Sequence, residues 1–183
     1  MSTNPTLRRR QFVTSAVSVA AATAIPTRLM ASGATQSAVP RRDGNSTALS
    51  PYLLFDGSCA TAMQFYQSVF GGELKITKVK DSPARSQMPA SLQDRVLNAH
   101  LGGGGIDISA SDWLRPSETR VRGNSVCLYL SGGTLPHLKA IFEKLSAGAE
   151  ITDPPKEQFY GTYGALNDSF GVRWMFWTDE KGA

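Results

Sequence analysis

Histidine and cysteine are scarce, with two of each in 183 residues. A histidine-based metal cluster would have to draw His100 and His137 together from distant segments, so the composition argues against one. Cys59 falls at a helix start and Cys127 in a later strand, which favours two separate thiols over a disulfide. The uncharged, Ala- and Val-rich stretch from Thr14 to Pro26 is shorter than the roughly 20 residues that a membrane-spanning helix requires. Acidic residues are missing from residues 1–34, where Arg8, Arg9, Arg10 and Arg28 lie. Those four arginines account for the whole formal charge of +4. The rest of the chain is close to neutral and offers no surplus of Lys and Arg to a nucleic-acid backbone. What is present is a 41% hydrophobic composition, enough for one domain of ordinary size.

The basic tail has an order of its own. Arg8-Arg9-Arg10-Gln11-Phe12-Val13 precedes the apolar stretch, and small residues around Met30-Ala31-Ser32-Gly33-Ala34 offer cleavage after Ala31 or Ala34. Arg9, Arg10 and Phe12 resemble a twin-arginine export motif, which implies a periplasmic or secreted protein that meets the membrane only during export. Arg8 stands where a small polar residue is usual and Thr14 where Lys is frequent, so the general secretory route is the alternative. Residues 35–49, rich in Ser, Thr, Pro and Arg, read as a disordered linker.

From Ser50 onward compact elements appear. Tyr52–Phe55 is a short apolar strand, Ser58 is placed to cap a helix, and Ala62, Met63, Tyr66, Val69 and Phe70 recur at helical spacing before Gly71-Gly72. Strands are predicted at Leu74–Val79, Arg95–Leu101 and Ile106–Ala110. A second unit repeats the order: a strand at Ser125–Leu130, a helix with Leu135, Leu138, Ile141, Phe142 and Leu145 on one face, then strands at Ala149–Thr152, Phe159–Leu166 and Val172–Trp177. The reading is an α+β domain of two βαβββ modules, about 50–112 and 123–178.

The residues that open and close this region resemble a known family. Ser50-Pro51-Tyr52-Leu53-Leu54-Phe55-Asp56-Gly57-Ser58-Cys59 with Ala62 to Gly72, and Phe159-Tyr160-Gly161-Thr162-Tyr163-Gly164 with Asp168-Ser169-Phe170-Gly171-Val172-Arg173-Trp174, look like the PhnB-like branch of the vicinal oxygen chelate (glyoxalase/bleomycin-resistance) superfamily. The resemblance covers about residues 50–178. It implies antiparallel and mixed sheets curving around a ligand cavity, usually in a homodimer, but no single reaction. Some such sequences carry a methyltransferase label, yet no glycine-rich nucleotide loop on a Rossmann-like unit supports it here, and no cofactor is expected. The superfamily's metal-ligand positions fall on Pro51, near Ser125 and on Met175. Pro51 and Met175 cannot hold a hard cation, so no metal is expected.

Strand alternation nominates the ligand-binding side chains. Leu97, Ala99 and Leu101 form a helix-packed face opposite Asn98 and His100. Val126, Leu128 and Leu130 oppose Cys127 and Tyr129, and Val172, Trp174 and Phe176 oppose Arg173, Met175 and Trp177. The candidate site is therefore Asn98, His100, Tyr129, Arg173, Met175 and Trp177, suited to a small anionic or carbonyl-bearing molecule. The favoured function is metal-free binding or sequestering of a small molecule. The alternative is an enzyme, either a metal-dependent lyase or dioxygenase or an acid/base catalyst using His100.

The export reading makes a direct prediction. Replacing Arg9 and Arg10 by Lys should leave uncleaved precursor in the cytoplasm, measured by fractionation, because that route reads the guanidinium pair and not charge alone. Efficient export of the double-Lys chain would assign it to the general route.

Overall fold

The computed structural model describes residues 49–121 and 123–182. The expected signal with Arg9, Arg10 and Phe12, its cleavage region and most of the linker lie outside them. Within the described residues the chain runs β1 (Tyr52–Phe55), α1 (Cys59–Phe70), β2 (Glu73–Lys78), three short 3-10 turns between Val79 and Leu92, β3 (Val96–Gly103) and β4 (Ile106–Asp112). It continues through β5 (Leu128–Ser131), α2 (Leu135–Leu145), β6 (Glu150–Gln158), β7 (Gly161–Asn167) and β8 (Arg173–Thr178). Two four-stranded mixed sheets result, ordered β1-β4-β3-β2 and β5-β8-β7-β6. In each, the strand before the helix pairs parallel with the last strand of its module. The two-module α+β reading is the observed architecture.

Both helices begin on a carboxylate supplied from just beyond, or at the end of, their module's last strand. Ser58 occupies the N-cap position of α1 but makes no capping bond with its side chain. Asp112, buried at the end of β4, accepts from Cys59 N at 3.1 Å and, through its other oxygen, from Val96 N at 2.8 Å. Glu180 accepts from Leu135 N at the start of α2 at 2.6 Å. Each carboxylate satisfies a helix donor that has no partner within the helix and sits at the positive end of the helix dipole.

Strand limits and one strand face differ from the sequence reading, and three of these differences have a local reason. β6 continues through Pro154-Pro155 to Gln158 instead of stopping at Thr152. It is an edge strand with register shifts around Asp153, so residues that cannot donate are tolerated on its open side. β5 starts at Leu128, where pairing with Trp174 begins, so Ser125–Cys127 precede the strand. On β3 the expected helix-facing Leu97 is only half-buried and Val96 is buried in its place. The bulge between Thr77 and Lys78 pairs Asn98 with Thr77 and Val96 with Lys78, which shifts the alternation by one at that point.

One apolar core serves both modules. Met63 and Tyr66 of α1, Phe142 and Leu145 of α2, Ala99 and Leu101 of the first sheet and Trp174 and Phe176 of the second are all buried in it. Both helices therefore lie against the apolar faces of the two sheets. The tie between modules is Asp168, in the β7–β8 turn and 5% exposed. Its Oδ2 accepts from Tyr66 Oη at 2.6 Å and Trp174 Nε1 at 2.8 Å, and its Oδ1 accepts from the backbone N–H groups of Phe170 and Val172, both at 2.9 Å. The turn so fixed places Phe170 against Phe65 and Tyr66, with ring centroids 5.7 and 6.1 Å apart.

Asp168→Asn should lower stability by about 3 kcal/mol, because the amide nitrogen on one side would face donors that have no other acceptor. Tyr66→Phe should cost about 1–2 kcal/mol, since three donors still satisfy the carboxylate. Urea unfolding midpoints of the single and double variants measure the coupling; simple additivity would contradict a shared network.

Candidate functional site

The six candidate residues divide between the sheets. Asn98 and His100 lie on β3, on the face away from the helices. Cross-strand pairing extends His100 into a transverse row of Lys75, His100, Ser109 and Tyr52, one residue from each strand. His100 Nε2 stands 3.0 Å from Asp107 Oδ1, with both side chains about half exposed. The imidazole crosses above Gly102, where any Cβ would collide with it, and Gly102 is Asp107's own cross-strand partner. Glycine there lets the ring reach the carboxylate.

The other four residues share the helix-free face of the second sheet. Tyr129 and Met175 are direct cross-strand partners; Arg173 and Trp177 flank Met175 on the same face, and Tyr163 pairs with Trp177. This face is aromatic where the first is ionisable. Tyr163 has its hydroxyl pKa raised by burial and by Asp153, against the opposing pull of Arg173, so all three groups lie within electrostatic reach. Cys127 Sγ approaches Met175 Sδ at 3.0 Å. Among the described residues no hydrogen bond joins the Asn98–His100 pair to this second group.

Two clefts run along the seam where β1 of the first sheet approaches β5 of the second. The larger, about 780 Å³, takes in Arg173 together with Tyr52, Trp113, Arg120, Asn124 and Cys127. The smaller, about 510 Å³, takes in Tyr129 with Pro51, Asp107 and Ile108. Their linings do not include Asn98, His100, Met175 or Trp177, which stay on the open sheet faces. Sequence reasoning missed Arg120 and Trp113, because they sit on the irregular segment between modules where no periodicity applies. The remaining signal was their residue type alone.

Paired βαβββ modules with this strand order define the glyoxalase/bleomycin-resistance fold, which solved domains of that class share. The family described as 3-demethylubiquinone-9 3-methyltransferase matches residues 47–176. YjdN of Escherichia coli K12 is 31% identical over 142 residues, covering 69% of this chain and 92% of that protein. The crystal structure of PA1353 from Pseudomonas aeruginosa is 28% identical, with a TM-score of 0.67 over 74% of this chain and all of that one. The PhnB protein of Bacillus cereus has the same fold, with 22% identity and a TM-score of 0.58 over 72% and 99% of the two chains. The chain belongs to this PhnB-like family.

The family description raises two groups to test against the residues present. A methyl-donor nucleotide would want an open glycine turn after a strand, but the space beside Gly57 is filled by the Arg95 guanidinium, itself held by Asp56 at 3.4 Å. The residues do not fit that group. For a divalent cation of the superfamily kind, the described residues contain no set of three or more His, Cys, Asp or Glu side chains placed to hold one. Met175 faces a thiol and a tyrosine, so the donor chemistry does not fit a hard cation either.

The two thiols sit in opposite environments. Both are free; Cys59 is fully buried at the start of α1 and Cys127 is half-buried in the cleft. Burial, with the Asp112 carboxylate second, pushes the Cys59 thiol up from 9.0 to about 12. A raised acid pKa leaves its stabilisation intact below pH 9.0 and removes it as pH climbs toward about 12. Burial also raises the Tyr66 hydroxyl, with the same sign. Titration with a disulfide reagent at pH 8 should therefore modify one thiol per native chain and the second only on unfolding, and thermal stability should decline above about pH 9. Rapid labelling of Cys59 in the folded protein would contradict this environment.

Proposed function

We propose that this chain is an exported, metal-free binding protein for a small anionic or carbonyl-bearing molecule, working as a homodimer through the helix-free sheet faces. The observation that carries the reading is Arg173. It is a half-buried guanidinium lining a cleft of small-molecule size, with aromatic neighbours and no carboxylate paired to it among the described residues. A cation so placed suits the planar oxygens of a carboxylate or phosphate. Tyr129, Met175 and Trp177 supply a donor and apolar contact on the same face. His100 and Asn98 supply polar groups on the other sheet, and a second copy of the chain would bring that face opposite the aromatic one. The acid/base alternative draws on the His100–Asp107 pair, whose geometry orients the ring for proton transfer.

Thermal-shift screening with aromatic acids and dicarbonyl compounds tests the reading, since a ligand that binds only the native state raises the melting point by mass action. Arg173→Ala and His100→Ala should each weaken binding by about 1–3 kcal/mol with little loss of stability. Protein purified without chelator should contain well under one equivalent of zinc, nickel, iron or manganese. Stoichiometric metal whose removal destabilises the fold, or turnover of a screened compound, would move the protein to the enzyme class.

A further inference from the structure

The seam cleft holds a second arginine. Arg120, half-buried on the segment between the modules, donates from Nη1 to the Leu54 carbonyl of edge strand β1 at 3.2 Å. That bond anchors one side of the guanidinium and leaves its remaining N–H groups for another acceptor. Neither Arg120 nor Arg173 forms an ion pair with a carboxylate among the described residues, and both line the same cavity of about 780 Å³. The acidic groups of the lining are already engaged. Asp168 is saturated by four donors, and Glu150 accepts from Asn167 Nδ2 at 3.0 Å. Two arginines thus face one exposed carboxylate.

Ring faces and aliphatic side chains stand among the polar groups of the lining. Trp113 spends its indole N–H on the carbonyls of Arg115 and Glu118, at 2.9 and 3.1 Å, so only its ring remains to offer to the cleft. Tyr52 of β1, half exposed, lines the same cleft. Guanidinium forks match planar oxyanions, while ring faces match a flat apolar body.

We infer that the seam cleft binds a small flat dianion, an aromatic ring bearing two carboxylates, with one carboxylate for Arg173 and the other for Arg120. The inference rests on the binding reading above and deepens it by making Arg120 the group that selects two charges over one. A monoanion can engage one arginine at a time; a dianion can engage both.

Calorimetric titration of the full chain with isophthalate and benzoate at low salt tests this. Isophthalate should bind at least about tenfold more tightly than benzoate, and Arg120→Gln should bring the two within about twofold, chiefly by weakening isophthalate. Glu150→Gln, which keeps an oxygen for Asn167 but removes the opposing charge, should tighten isophthalate several-fold. Equal affinities in the native protein, a preference that survives Arg120→Gln, or tighter binding of phenyl phosphate than of isophthalate would overturn the assignment. Benzoate binding without any gain for isophthalate would defeat this inference alone. If no aromatic acid binds and none shifts the melting point, the small-anion reading of Arg173 falls with it.

Discussion

A buried carboxylate ties the two modules together within their common apolar core. Asp168 sits in a turn of the second module, yet one of its four donors is the hydroxyl of Tyr66, in the helix of the first. A buried carboxylate is tolerated only when its lone pairs are filled, and here the donors come from a helix, a strand and the turn itself. Meeting that requirement fixes the path of the chain from Asn167 to Trp174. The same constraint seats Phe170 against α1 and sets Arg173 at the entrance of β8, beside the seam. The arginine's position is thus a consequence of how the core resolves a buried charge.

Saturation of Asp168 also decides the electrostatics of the cleft. Because that carboxylate is spent on internal donors, it is a poor partner for the arginines nearby. The other buried carboxylate, Asp112, is likewise spent, on the backbone donors of Cys59 and Val96. The fold therefore uses its buried acids for structure and leaves positive charge at the seam. A chain of nearly neutral composition beyond the tail thus carries two arginines in one cleft with no carboxylate paired to them among the described residues: the sign of a site depends on which charges remain unpaired, not on their sum.

Membership in the PhnB-like family establishes architecture, and the family's enzymatic description does not carry over through that architecture alone. The space beside Gly57 is filled by the Arg95 guanidinium, and Pro51 and Met175, the positions nominated by resemblance as metal ligands, offer no donor suited to a hard cation. What the chain retains is two helix-free faces of different character. One is an ionisable row with a His–Asp pair, the other an aromatic surface with an arginine. Such faces suit recognition by hydrogen bonding on one side and stacking on the other.

Periodicity in the sequence was enough to define two βαβββ modules and the helix-packed faces of most strands; Asn98, His100, Tyr129, Arg173, Met175 and Trp177 lie opposite those faces, but on two sheets and not on the one concave face expected of them. A side chain's face follows from its own backbone, and that information is local. The failures were local as well: a bulge opposite Leu97, an edge strand that accepts Pro154-Pro155, and a β5 that waits for its partner before starting. Each is settled by a pairing with another strand, which a single segment does not encode. Only tertiary structure could reveal that Asp168 reaches Tyr66 102 positions away, that Arg120 hangs from the β1 edge, or that Gly102 clears the path from His100 to Asp107. Those contacts join groups by distance in space, and they arise when burial of the common core brings together segments whose own sequences specify only a face.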